Sequence, residues 1–220
     1  TSSGFLLENG EIEHFTSSSD SGLGIRVLAA SCWGFYSVSN PHSLEEIKNA
    51  AQDAVKNALH YSKSKKQKVK LADAPIYVDK VDFRVLKQPT IEEMTRLGFE
   101  CDSIIKGKKR INKSSISMEY DVFSKYFVNS DGTKTHQNFV DTIANLSATA
   151  HESGLTESVN TMEGGRGGME MILGQNDITK AAEFIAQKAS ELIDAKTAKE
   201  ENATVVMNPD FVALLTHEIL

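Results

Sequence analysis

Two stretches near the middle of the chain constrain the fold most. "SISMEYDVFSKYFVN" and "HQNFVDTIANLSATA" flank Ser130-Asp131-Gly132-Thr133. An Asp-Gly pair between strand-like runs is a hairpin signal, because both residues tolerate the positive φ of a tight turn. Glu152-Ser153-Gly154-Leu155 supplies the next turn, and "TESVNTMEGG" returns as a third strand. Residues 113–166 therefore read as an antiparallel meander.

Strands and helices are segregated around it. Asn9-Gly10 predicts a hairpin joining "GFLL" to "EIEHF", and "LGIRVLAASCWGFYSV" a further strand pair with Leu23, Ile25, Val27 and Ala29 on one face. A helix follows, opened by a capping box in which Ser43 caps and Glu46 reaches back. Its expected apolar stripe is Leu44, Ile47, Ala51, Ala54, Val55, Ala58 and Leu59. A second helix begins at Thr90, with Ile91, Met94, Leu97, Cys101, Ile104 and Ile105 as its stripe and Gly107 at its end. A third runs from about Asp177 to Ala195 on Ile178, Ala181, Ala182, Ile185, Ala189, Leu192 and Ile193. After a charged linker, "ATVVM" predicts a short strand. A last helix is capped by Asn208, with Pro209 at the first helical position, where its missing N–H costs nothing. This order gives an α+β fold and argues against a doubly wound sheet. The expected units are an N-terminal α+β domain (1–74), a central domain (75–202) and the start of a third (203–220).

At 220 residues, with 40% hydrophobic and 25% charged residues, the chain has the composition of a globular protein. No run of about 18 apolar residues exists to span a membrane, and "TSSGFLLENG" lacks the regions of a signal peptide. The abrupt start suggests a piece of a longer protein. A net charge of −6 argues against nucleic-acid binding. The lysine-rich "SKSKKQKVK" and "KGKKR" read as solvated loops, with a nucleic-acid or acidic-partner patch as the alternative. Cys32 and Cys101 are too few and too far apart for a disulfide framework, and the expectation is a cytoplasmic protein with reduced thiols.

Two places could carry chemistry. In "EGGRGGME", Gly164, Gly165, Gly167 and Gly168 could turn backbone N–H groups toward a substrate, or mark a strand end that another backbone approaches closely. The stretch is neither a P-loop nor a dinucleotide fingerprint. His14, His42, His60, His136 and His151 share no ligand spacing. In "LLTHEIL", His217-Glu218 stands on the last helix, which Phe211, Leu214 and Leu215 are expected to bury against a sheet. In helical zinc hydrolases a His binds the metal and the next Glu serves as general base. The pair alone is a weak signal, equally an ordinary polar turn at a helix end.

Four stretches together resemble the TldD/PmbA metallopeptidases, also described as modulators of DNA gyrase. They are "ENGEIEHFTSSSDSGLGIRVLAASCWGFYSVSN", "FVNSDGT", "EGGRGGME" and "VVMNPDFVALLTHEIL", in that order. The resemblance implies a zinc peptidase acting on flexible or unfolded peptides within a homodimer or a heterodimer with a PmbA-type paralogue. TldD-type members carry His-Glu-x-x-x-His and a distant cysteine. His217 matches the first ligand and Glu218 the catalytic glutamate, while the second His and the Cys match nothing in this chain. The resemblance thus implies zinc in the complete protein and none in this piece, whose alternative role is a non-catalytic assembly or substrate-gating module. Histidines five apart point about 140° away from each other on an ideal helix. The implied motif therefore needs an irregularity after Glu218.

Overall fold

The computed structural model describes residues 1–64, 69–174, 177–197, 199–202 and 204–219. In chain order the elements are β1 (Ser2–Glu8), β2 (Glu11–Ser18), β3 (Gly22–Ala29), β4 (Cys32–Ser39), α1 (Leu44–Ser62), β5 (Val78–Asp82) and α2 (Ile91–Lys106). They continue with β6 (Ile111–Val128), β7 (Lys134–Glu152), β8 (Leu155–Arg166), α3 (Glu170–Leu173), α4 (Ile178–Leu192) and α5 (Pro209–Ile219). The fold is α+β, as the segregation of strands and helices requires.

The meander is the frame. β6, β7 and β8 pair antiparallel in sequence order, and β1 adds to the free side of β6, with β2 outside it. The first hairpin is thereby welded to the central sheet: Phe5 lies opposite Met118, and Leu7 opposite Ile116. Its turn is fixed from both sides. Asn9 and Gly10 take positive φ (52° and 85°). Ser114 N–H donates to Asn9 Oδ1 at 3.0 Å, and Lys106 Nζ to Asn9 O at 2.9 Å.

Period-two alternation decides which face is buried. On β7 the even residues Val140 to Ala150 are buried, with α4 packed over this strand and α2 beside it over β6 and β1. Small side chains, Ala144, Ala148 and Ala150 on the strand and Ala182, Ala186 and Ala189 on α4, let helix and sheet approach closely. Met94, Leu97, Cys101 and Ile105 of α2 complete this core as expected. Gly98 makes room for a ring, since a Cβ there would stand 2.7 Å from Phe5. The opposite face is lined by Ser115, Ser117, Asn145, Ser147 and Asn160 and stays open to solvent, the usual arrangement for an antiparallel sheet. Thr90 and Asp177 cap α2 and α4 by accepting from Glu93 N–H and Thr179 N–H.

β3 and β4 form a separate two-stranded sheet under α1. The stripe of α1 differs from expectation. Its buried residues are Ala50, Ala54 and Ala58, whereas Leu44, Val55 and Leu59 are exposed. The reason lies in β4. Gly34 sits directly beneath the helix, where a Cβ would be 1.9 Å from Ala54 O and 2.6 Å from Ala58 N. Contact that close admits only the alanine ridge. Glu46 does reach back, but it accepts from His42 N–H at 3.0 Å and not from Ser43. The β3–β4 turn is Ala30-Ser31, both at positive φ (49° and 59°), with no glycine to announce it.

Two further expectations are corrected. β5 was not anticipated. It pairs in parallel with Lys134–Asn138 of β7, on the stretch of that edge which β8 leaves open. "ATVVM" forms no strand among its described residues. Val205 and Val206 are 71% and 94% exposed and pair with nothing, so their β propensity finds no partner to express it.

Candidate functional site

The glycine cluster ends β8 and turns the chain into α3. Gly164, Gly165 and Gly167 adopt φ of 149°, 152° and 153°, a region open to glycine and little else. A Cβ at Gly164 would lie 2.3 Å from Thr142 O, and one at Gly168 would lie 1.9 Å from Lys87 O. At Gly165 and Gly167 it would meet the Met171 side chain at 2.9 and 2.8 Å. Close backbone approach excludes a side chain at Gly164 and Gly168, whereas at Gly165 and Gly167 the neighbour is the Met171 side chain.

Glu170, just behind the cluster, is a residue that sequence reasoning passed over. Its carboxylate accepts from Leu86 N–H and Lys87 N–H at 3.0 Å each and from Gly168 N–H at 2.9 Å. Burial pushes its carboxyl up. The backbone N–H groups of Leu86, Gly168, Glu170 itself and Lys87 outweigh that and hold it at about 2. Nearby, Arg166 forms a two-pronged ion pair with Asp141 and lies 3.9 Å over the Phe139 ring. The only advance signal for Glu170 was a carboxylate two residues after a glycine pair.

His217 and Glu218 stand one residue apart in the last turn of α5. Asn208 caps that helix as expected, its Oδ1 accepting from Phe211 N–H at 2.9 Å. The helix is not buried, contrary to expectation. Phe211 and Leu214 are 54% and 57% exposed, and no residue of α5 is buried. It is helical through Ile219, so an irregularity after Glu218 falls outside the described residues. Among the described residues, no three His, Cys, Asp or Glu side chains converge to hold a metal. His217 supplies one imidazole and Glu218 one carboxylate, which fall short of a coordination shell. Neither lies in the two surface depressions, one of about 200 Å³ beside Cys32 and Trp33, the other of about 150 Å³ on the open sheet face around Asn145.

Cys32 and Cys101 are both buried and unpaired. Burial pushes the Cys101 thiol up to about 12, which removes it from nucleophilic or ligand chemistry near neutrality. The five other histidines do not gather. His136 stacks on Tyr126 at 4.0 Å and His151 bonds Thr156.

Residues 1–58 match the family profile of PmbA/TldA metallopeptidase domain 1, and residues 84–196 that of the PmbA/TldA metallopeptidase central domain. The chain belongs to the PmbA/TldA metallopeptidase family. A metalloprotease of Methanocaldococcus jannaschii is 27% identical over 217 residues, covering 96% of this chain and 47% of its own length. A metalloprotease of Methanothermobacter thermautotrophicus is 26% identical over 223 residues, covering 99% and 47%. The chain thus spans about half the length of the curated relatives it matches. Two solved structures share the fold. A modulator of a DNA gyrase from Thermotoga maritima has a TM-score of 0.66 at 16% identity, over 90% of this chain and 44% of its own. TldE from Thermococcus kodakarensis has a TM-score of 0.56 at 15% identity, over 88% and 42%. No helix among the described residues is long and apolar enough to cross a membrane.

Proposed function

We propose that the complete protein is a zinc-dependent peptidase, with His217 as a metal ligand and Glu218 as the general base. One observation carries this reading: a His-Glu pair closes an Asn208-capped helix in a chain of a metallopeptidase family. Zinc, when bound, would supply a Lewis acid for the scissile carbonyl and the attacking water. Glu218 would take the proton of that water and pass it to the leaving amine. The described part of the chain holds one ligand of that centre, so its own role is to shape access for flexible or unfolded peptides. We place the protein in the cytoplasm. We infer a structural role for Gly164, Gly165, Gly167 and Gly168, on the ground that a side chain at each would meet Thr142, Met171 or Lys87.

The second reading is an assembly or substrate-gating module within a homodimer or a heterodimer with a PmbA-type paralogue. What favours it is the distal end of β6, where Tyr126, Phe127 and Val128 are exposed, together with Trp33 and Phe35 on β4. We divide the chain at 74 and 202, with the β1–β2 hairpin bridging the first division through β6. Metal analysis of the complete protein separates the readings. One zinc per chain, lost in His217→Ala, supports the peptidase, and no bound metal leaves only the assembly role.

A further inference from the structure

The segment Tyr77–Lys87 is held very differently at its two ends. Its first half is β5, an edge strand in the weaker, parallel kind of pairing. Along β5 only Val81 is half-buried, and Val78 is 75% exposed. Beyond its ladder with β7, this end is tied at Tyr77, whose N–H donates to Thr133 Oγ1 at 3.2 Å and whose O accepts from Lys134 N–H at 2.7 Å. The second half is fastened by side chains and backbone together. Phe83 packs edge-on against Phe139 at 6.0 Å, with the Arg166 guanidinium over both rings. Where the two halves meet, Asp82 Oδ1 accepts from Asn138 Nδ2 at 2.6 Å and Phe83 N–H donates to Asn138 O at 2.9 Å. Leu86 and Lys87 donate to Glu170, Lys87 O accepts from Met169 N–H at 2.8 Å, and Gly168 lies flush against Lys87 O.

We propose that Tyr77–Lys87 is a hinged strap: it opens from its β5 end while the Glu170 latch keeps the far end in place. Opening does not require the core to unfold, because no residue of β5 belongs to the core. It uncovers the outer edge of β7 from Lys134 to Gln137, directly in line with the stretch that β8 occupies. The glycine cluster acquires a purpose here: Gly168 and Glu170 together form the seat of the hinge.

Residue-resolved hydrogen exchange on the full chain tests this. Lys134 N–H should exchange about 10-fold or more faster than Leu86 and Lys87 N–H, while Leu146 N–H in the centre of β7 stays the most protected. Glu170→Gln should bring Leu86 and Lys87 to within about 3-fold of Lys134 and leave Leu146 unchanged. Lys134 as protected as Leu146 would show that the strap opens only with the whole molecule and would overturn the proposal. So would Leu86 and Lys87 amides that Glu170→Gln does not affect. Should that variant fold poorly, the unmodified chain's ratio of Lys134 to Leu86 decides alone.

Discussion

Glu170 shows how one side chain can organise a region whose sequence looks like a loop. Its folded carboxyl sits near 2, below its ordinary value of 4.5, because backbone donors favour the charged form. A lowered acid contributes stability that is fully present above its unfolded value and is lost as pH falls through the folded one. The contribution should fade between about pH 4.5 and pH 2 and amount to about 1–2 kcal/mol, given how far solvent screens the group. Denaturant titrations across that window should show a steeper fall of stability in the wild-type chain than in Glu170→Gln, the other lowered carboxylates being common to both. Gly34 makes the opposite argument, from space. Gly34→Ala places a methyl group 1.9 Å from Ala54 O, so α1 must lift off β4. A loss of about 1–3 kcal/mol in chemical denaturation is expected, and an unchanged midpoint would refute the close approach. The Cys101 thiol, held near 12 in the core, should resist alkylation until the chain is unfolded.

At the scale of elements, the local signals with a mechanism were legible. Asn9-Gly10, Ser153-Gly154, the start of α2 at Thr90 and its apolar stripe all appear where their chemistry required. The misses share a cause, which is that a partner distant in sequence decided the outcome. α1 turns its alanines inward because of Gly34, twenty residues from Ala54 along the chain. β5 exists because β8 stops short and leaves part of the β7 edge open. Ala30 and Ser31 take a left-handed turn that neither residue type advertises, held by the two strands they join. α5 is the converse case. Its Asn208 cap and Pro209 start were readable, but the burial expected from Phe211 and Leu214 is missing, since nothing among the described residues packs on it. Removing residues 204–220 should therefore leave the thermal midpoint within about 2 °C of the parent chain. A larger fall would mean that α5 packs on the sheet after all.

For the whole molecule, the sheet of β1, β2 and β5–β8 with α2 and α4 is a finished core, and the chemistry lies at its margin. The family is legible in four stretches spread along the chain. The metal chemistry that we propose rests on His217-Glu218 alone, because the rest of the implied ligand set matches nothing in these 220 residues. We propose that Glu218 moves a proton and His217 holds a metal. The most direct test is Glu218→Gln in the complete protein, with zinc content and cleavage of an unfolded peptide measured on the same preparation. The expected result is one zinc per chain, as in the wild type, and cleavage lowered by a factor of about 100 or more. Full cleavage by the glutamine variant with its metal in place would contradict it.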